Sequence, residues 1–255
     1  MAIEPALTLG GQTLQLLPER CAFWQEAGVL LLADLHLGKA AHLRHHGMAI
    51  PEGHTADDLA RLSRVLRRTQ AREIIICGDF FHAPTAQSPA VLELVEQWRT
   101  SHPEVGVSLI TGNHDRGRAL PPPRCGIELA GPSVRRDPFQ LIHDPAEAIA
   151  GRITISGHLH PLAALSGGRG SALRAPCFWW QANRSCLVLP GFGSFTAGVA
   201  IQPDPADTLY VITGQTVVAV PASVCRPAPP RHARLRQTTI DYSKQIAGPP
   251  PPDEE

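Results

Sequence analysis

The fold is decided by the stretch Ile74-Ile75-Ile76-Cys77-Gly78-Asp79-Phe80-Phe81-His82. Three consecutive isoleucines with no polar residue between them predict a strand that is buried on both faces. Gly78 lets the backbone turn sharply where a Cβ would clash, and Asp79 then follows at the carboxyl end of the strand. One strand end of this kind says little about function, but four other apolar runs end in the same way.

The other four runs are followed by polar side chains of the same kinds. Residues 29–33 precede Asp34 and His36, residues 107–111 precede Asn113, residues 139–142 precede His143, and residues 153–156 precede His158 and His160. Sites in open α/β sheets gather at the carboxyl ends of the strands. We therefore expect one edge of the sheet to collect seven possible metal ligands: Asp34, His36, Asp79, Asn113, His143, His158 and His160.

The chemistry of this ligand set indicates which metals it would hold. The seven side chains offer oxygen and imidazole nitrogen but no sulfur, which favours manganese, iron or zinc over magnesium or calcium. Manganese is the expected metal, with iron and zinc as alternatives. Because a carboxylate such as Asp79 can bridge two cations, the pattern predicts two divalent ions that clamp the attacking and leaving oxygens at a phosphorus atom.

The composition is that of a globular protein without a membrane segment. The chain has 255 residues, 43% of them hydrophobic, and no apolar run approaches the roughly 20 residues of a membrane span. The first residues lack the features of a secretory signal, so we expect a cytoplasmic protein with no membrane partner. The six cysteines form no C-x-x-C pair and are expected to be buried free thiols. The formal net charge is zero, so the overall charge does not indicate a nucleic-acid partner.

The order of the predicted elements favours a single domain over residues 1–225. A hairpin around Gly10-Gly11 precedes the first buried strand, and apolar residues at helical spacing predict helices after Thr55 and after Ser88. Strand and helix alternate up to Leu120, which predicts parallel pairing, and short strands then replace the helices. The proline- and arginine-rich tail over residues 226–255 is expected to be poorly ordered.

Two groups of side chains have ordinary structural explanations. The helix after Thr55 would expose four arginines that we interpret as a solvated face: Arg61, Arg64, Arg67 and Arg68. Trp179 and Trp180 could stack on unpaired bases, but a core or interface role is favoured.

The five motifs together resemble a known superfamily. Asp-x-His, Gly-Asp, Gly-Asn-His-Asp, His and Gly-His-x-His occur in this order between residues 34 and 160, as in the calcineurin-like metallophosphoesterases. The segments at residues 32–41, 44–53 and 187–196 also resemble the bacterial ligase-associated DNA damage response endonucleases (PdeM family). This closer resemblance covers about residues 6 to 220.

The resemblance implies a fold and a division of roles. The fold would be a four-layer α/β/β/α sandwich, with two mixed sheets flanked by helices. One metal would be held by Asp34, His36, Asp79 and His160, and the other by Asp79, Asn113, His143 and His158. His114 would steady the phosphate and protonate the leaving oxygen, oriented by Asp115, while a metal-bridging hydroxide attacks in line.

The resemblance also implies a substrate. A single-stranded DNA endonuclease of DNA repair is expected, acting on single strands or flexible ends, with other repair proteins as possible partners. Four residues near the motifs are expected to bind the substrate: Lys39, Arg44, His82 and Arg116. Three alternatives stay open: a phosphodiesterase or phosphatase for nucleotides or other small molecules, a protein phosphatase, and a non-catalytic scaffold with this fold.

Overall fold

A computed structural model describes residues 5–166 and 172–225 of the chain. Within these ranges, seven strands form a first sheet and lie in the order in which they occur in the sequence: β1 (Ala6–Leu9), β2 (Gln12–Leu17), β3 (Cys21–Trp24), β4 (Val29–Leu32), β5 (Glu73–Cys77), β6 (Gly106–Ile110) and β7 (Glu128–Gly131). Strands β1 to β4 pair antiparallel, and Leu9 faces Gln12 across the expected hairpin. Strands β4 to β7 pair parallel, as predicted.

The second sheet contains the remaining strands of the described residues. These are β8 (Ser133–Arg136), β9 (Phe139–Ile142), β10 (Ile153–Ser156), β11 (Pro161–Ser166), β12 (Ala172–Gln181), β13 (Cys186–Val188), β14 (Val199–Ala200), β15 (Thr208–Thr213) and β16 (Thr216–Pro221). Their order is β14-β11-β12-β13-β10-β9-β8, with β15 pairing to β12 and β16. Strands β9, β10 and β13 are parallel, so their carboxyl ends point the same way.

The described residues include three α-helices: α1 (Lys39–His45), α2 (His54–Thr69) and α3 (Pro89–Thr100). Helices α2 and α3 bury Leu62 and Val95 against Ile74 and Ile76 on one face of the first sheet. Ile75 points to the opposite face, as the two-residue period of a strand requires. No helix within the described ranges is long and apolar enough to cross a membrane.

The two sheets pack face to face through a second core. Leu31 and Ile75 of the first sheet lie in the same buried cluster as Leu141 and Phe178 of the second. The three isoleucines of β5 therefore contribute to two cores, one against helices and one against the other sheet. Two mixed sheets with flanking helices confirm the predicted fold class.

The far face of the second sheet buries a smaller cluster that includes Cys177 and Val211. In the described part of the chain, strands and loops supply this cluster, so the predicted outer helices lie on the first sheet. Trp180 packs into the core between the sheets and Trp179 against the smaller cluster, which matches the structural role favoured for them. The tail predicted over residues 226–255 lies outside the described residues. All six cysteines are free thiols, and five of them are buried as expected, whereas Cys225 is half-buried.

Candidate metal centre

Backbone hydrogen bonds continue past the ends of β4 and β5 and fix the first two motifs side by side. The amide of Asp34 donates to the carbonyl of Gly78 at 3.0 Å, and the amide of His36 donates to the carbonyl of Asp79 at 3.0 Å. Asp34 and Asp79 are only 0% and 2% exposed. Because a buried carboxylate is costly without a compensating partner, this arrangement calls for nearby positive charge.

The backbone of the motifs is held in an unusual conformation. Among the described residues, eight that are not glycine have a positive φ, and five of these are expected ligands: Asp34, His36, Asp79, His158 and His160. A left-handed backbone costs such residues on the order of 1–3 kcal/mol each and persists only where surrounding contacts hold it. The strain is therefore concentrated where the side chains converge.

Glycines let the strand ends approach each other closely. A Cβ on Gly78 would overlap the His143 ring, and a Cβ on Gly112 would overlap the Asp79 carboxylate. A Cβ on Gly157 would likewise come within 2.8 Å of the Asp34 carboxylate. Each glycine thus leaves room for an expected ligand contributed by a different strand end.

Three expected ligands form a first cluster: Asp34, His36 and His160. Asp34 Oδ1 and His160 Nε2 lie 3.2 Å apart, and both are buried atoms without a hydrogen-bond partner in the described part of the chain. His160 Nδ1–H donates to the carbonyl of Ala197 at 2.9 Å, so the lone pair of Nε2 faces the carboxylate. Two orphaned atoms with lone pairs aimed at one point fit a cation, and a carbonyl behind the imidazole is the usual support for a metal-binding histidine.

Asn113, His143 and His158 form a second cluster. His143 Nε2 lies 2.9 Å from Asn113 Oδ1 and 3.0 Å from His158 Nδ1. His143 Nδ1–H donates to the carbonyl of Cys77 at 2.9 Å, which again leaves the Nε2 lone pair for a ligand. The oxygen and nitrogen atoms that meet here also fit a divalent cation.

Asp79 lies between the two clusters. Its Oδ2 is 3.6 Å from His36 Nε2 of the first cluster, and its Oδ1 is 3.5 Å from His143 Nε2 of the second. Burial and the neighbouring histidines lower the pKa of His36 to about 2, so its imidazole is neutral at pH 7, the form that ligates metals. One carboxylate therefore faces both groups of donors, the position expected of a bridging ligand.

Comparison with known proteins agrees with this geometry. The model of the calcineurin-like phosphoesterase family matches residues 28–151. The crystal structure of Pseudomonas putida nuclease MPE superposes with a TM-score of 0.73 at 37% sequence identity, covering 85% of this chain and all of that one. The chain belongs to the calcineurin-like phosphoesterase family. It is a metal-dependent phosphoesterase, consistent with the resemblance to the PdeM family.

One further solved structure is less similar to this chain. Yfce, a phosphoesterase from E. coli, shares 16% identity over 76% of this chain and 98% of its own, with a TM-score of 0.40. Curated protein sequences give no match.

His114 of this phosphoesterase enters the site without being placed as a ligand in either cluster. Its ring Nδ1–H donates to the carbonyl of His82 at 2.6 Å, and Nε2 points inward to within 4.0 Å of Asp79 Oδ2. The side chain is 35% exposed, more than the buried carboxylates beside it. A ring held on one nitrogen and open on the other can exchange a proton with a bound substrate.

The expected contact between Asp115 and the His114 ring does not form among the described residues. Asp115 turns inward and accepts hydrogen bonds from the amides of Asp79, Phe80 and Gly112, at 2.6, 3.0 and 2.9 Å. The carbonyl of His82 orients His114 instead. The prediction that Asp115 orients His114 is therefore wrong: three converging amides satisfy a buried carboxylate better than one imidazole, and Asp115 ties the β5 and β6 loops together.

The residues expected to bind substrate occupy different places. His82 stacks on His114 with ring centroids 5.1 Å apart, and burial followed by the charge of Lys39 lowers the pKa of His82 to about 4. Lys39 is the first residue of α1 and lies half-buried beside these histidines. Arg116 is exposed next to His114.

Arg44 is engaged within its own loop. Its guanidinium donates to the carbonyls of Ile50 and Pro51 at 3.3 and 3.2 Å and lies 3.6 Å from Glu52. These bonds hold the turn between α1 and α2, which explains its position without a substrate.

Sequence reasoning missed a set of residues that support the centre from behind. The loop after β13, residues 190–197 (the supporting loop), bonds to the first motif because the amides of Phe192 and Gly193 donate to the carbonyls of Ala33 and Asp34. It also supplies the Ala197 carbonyl that orients His160. The segment at residues 187–196 had a sequence signal through the family resemblance, but nothing local indicated its contacts.

Asp58 and Arg61 hold the supporting loop in place. The Asp58 carboxylate, 4% exposed, accepts from the Ser194 amide at 3.0 Å and from the Arg61 guanidinium at 2.9 Å. Arg61 also donates to the carbonyl of Phe192 and lies 4.3 Å above its ring. The interpretation of Arg61 as part of a solvated face is therefore wrong. Helix α2 begins at His54, directly after Gly53 and one residue before Thr55.

Proposed function

We propose that this phosphoesterase is a DNA endonuclease that hydrolyses phosphodiester bonds in single strands or at flexible ends. The observation that carries the proposal is the pair of donor clusters facing the single carboxylate Asp79, with His114 free beside them. The 37% identity to a nuclease over that protein's full length supports nucleic acid as the substrate class. We place its action in the cytoplasm, in DNA repair and with other repair proteins as partners.

Each group of the site has a proposed role. The first cluster with Asp79 would hold one divalent ion and the second cluster with Asp79 the other, with manganese as the favoured metal because the donors mix nitrogen and oxygen. Such ions, when bound, lower the pKa of water and neutralise the charge of a phosphate. His114 steadies the phosphate and delivers a proton from Nε2 to the leaving oxygen, while the His82 carbonyl holds its other nitrogen.

The substrate contacts follow from what is accessible beside His114. Arg116 and Lys39 are cations near the metal centre that can pair with phosphate oxygens. His82 is neutral and in contact with His114, so it can approach a leaving group without repelling the proton donor. Asp115 acts through the loops that it joins and not on the substrate.

The test is a matrix of metals and substrates. Purified protein is incubated with labelled single- and double-stranded DNA and with bis(p-nitrophenyl) phosphate, each with manganese, magnesium, zinc, calcium or a chelator. We expect cleavage of single-stranded DNA that depends on manganese. Hydrolysis of the small diester with no cleavage of either DNA would contradict the DNA proposal and favour a small-molecule phosphodiesterase, and no metal-dependent activity at all would favour a scaffold.

His114→Ala supplies the internal control. Loss of a general acid should lower turnover about 100- to 10,000-fold. The metal content of the variant should match the wild type because His114 is not assigned to either cluster. Full activity of this variant on DNA would overturn the proposed role of His114.

A further inference from the structure

A cavity of about 400 Å³ opens near the metal centre and is lined by three arginines. We call it the arginine cavity, after Arg20, Arg61 and Arg64. The rest of its wall comes from the β2–β3 turn, from β12 and from the β15–β16 turn: Pro18, Glu19, Pro176, Ile212, Gly214 and Gln215. It therefore lies at the seam where the two sheets and α2 meet.

Strand pairing places this cavity at the same edge of the sandwich as the metal centre. Strand β3 runs antiparallel to β4, with Ala22 opposite Leu31, so Arg20 lies beside the carboxyl end of β4 that leads to Asp34. On the second sheet, Trp179 faces Val188, the last residue of β13, and the chain on either side of Pro176 lies beyond that end. Both walls of the cavity are thus at the catalytic edge.

The supporting loop lies between the cavity and the first cluster. The Arg20 guanidinium lies 3.5 Å from the carbonyl of Gly191 and 3.3 Å from that of Gly193. On its other side, Gly191 lies against His160, since a Cβ there would be 3.3 Å from the ring. One residue of backbone therefore touches both an arginine of the cavity and an expected metal ligand.

The carboxylates of the described residues balance only part of the positive charge in the cavity. Asp58 pairs with Arg61, and Glu19 is engaged by Arg68 at 2.6 Å, so within the described ranges no carboxylate lies at ion-pair distance from Arg20 or Arg64. Arg61 Nε is buried and makes no hydrogen bond to the described residues. Burial and the nearby charge of Arg61 lower the pKa of Arg20, and the carboxylate of Asp58 offsets only part of this effect. An anion in the cavity would reduce the repulsion between the arginines and accept hydrogen bonds from N–H groups that have no other partner among the described residues.

We propose that the arginine cavity binds a backbone phosphate of the nucleic-acid strand that is cleaved at the metal centre. The inference rests on the proposed function, since it names a second contact of the same substrate. The geometry favours a polymer because the metal centre already takes one phosphate and the cavity offers a second anion site at the same edge. Planar guanidinium groups suit phosphate oxygens in paired hydrogen bonds.

Arg64→Ala tests the proposal with little risk to folding. Arg64 is exposed on α2, whereas Arg20 and Arg61 also hold the supporting loop. Arg67→Ala is the matched control, since Arg67 is exposed on the same helix but does not line the cavity. Affinity for a fluorescent single-stranded oligonucleotide is measured over a range of salt concentrations, and turnover of bis(p-nitrophenyl) phosphate is measured in parallel.

We expect Arg64→Ala to weaken oligonucleotide binding on the order of fivefold and to reduce the slope of log affinity against log salt by about 0.7. Arg64→Glu should weaken binding further, and Arg67→Ala should change neither quantity. Turnover of the small diester should be unchanged in all three variants because it does not reach the cavity.

Three results would overturn the inference. If wild-type protein cleaves DNA and both Arg64 variants bind it as tightly and with the same salt slope, the inference fails while the proposed function stands. An equal loss in Arg67→Ala would show a general charge effect and no site. If wild-type protein neither binds nor cleaves DNA, the proposed function itself fails and the inference fails with it.

Discussion

The metal centre and the arginine cavity lie on two sides of one loop, and they are built in opposite ways. Asp34 and Asp79 of the centre are buried on left-handed backbone. The cavity is open and presents Arg64 from an exposed helix face. The chemistry of phosphate cleavage needs groups fixed in position, whereas attraction of a polyanion needs only charge in the right region. Variants in the two places should therefore fail in different ways.

The largest effect is expected from Asp79→Asn, which keeps the shape of the side chain but removes the charge that both clusters face. Because two-metal stabilisation of a phosphoryl transition state is worth several kcal/mol, turnover should fall about 1,000-fold or more on both DNA and the small diester. Metal content and turnover on each substrate are the measurements. An Asp79→Asn protein that is active on the small diester but not on DNA would contradict the catalytic role of the centre, because the centre would then act only in substrate attraction.

A smaller effect is expected from Gly112→Ala. A Cβ at this position would overlap the Asp79 carboxylate, so the carboxylate must shift away from one cluster. Displacement of this kind typically costs about 10- to 100-fold in metal affinity, which calorimetric titration with manganese would show.

Gly106→Ala is the matched control for this change. It is the first residue of β6, the strand that leads to Gly112, and a Cβ there would have Glu73 Cγ as its nearest neighbour at an ordinary 3.7 Å. Equal metal affinity of the two glycine variants would contradict the close approach of the β5 and β6 loops.

Asp58→Asn should affect both regions, since Asp58 contacts a residue of each. It bonds Ser194 of the supporting loop and Arg61 of the cavity wall. The variant should weaken manganese binding roughly threefold, which is less than the loss of metal affinity expected for residues that contact the metal ligands directly. It should also lower the melting temperature, because Arg61 loses its ion-pair partner. Asp57→Asn, one residue earlier and exposed, should change neither property. The change at Arg64 is expected to affect polymeric substrate alone and to leave metal affinity unchanged.

The sequence predicted the strand ends well because the relevant signals are local. Ile74, Ile75 and Ile76 cannot be accommodated at a surface, and the glycine that follows marks the turn. Parallel pairing then brings the carboxyl ends of β4, β5 and β6 to one edge whatever the details of the packing. The motifs and their order along the sequence were therefore enough to predict the candidate ligands from both sheets.

The supports of the site could not be predicted in this way. Asp58 bonds Ser194 across 136 residues of chain, and no periodic pattern links the two. Asp115 is adjacent to His114 in sequence, yet its carboxylate is satisfied by amides of the β5 loop. Arg61 looked like a solvated residue because helical spacing shows which face is polar but not what covers it.

The central claim is that side chains from both sheets form one two-ion centre around Asp79. Anomalous diffraction from crystals saturated with manganese tests it most directly. We predict two peaks about 3.5–4 Å apart, one beside Asp34, His36 and His160, the other beside Asn113, His143 and His158, with Asp79 between them. A single peak, or manganese bound only away from these residues, would contradict the account.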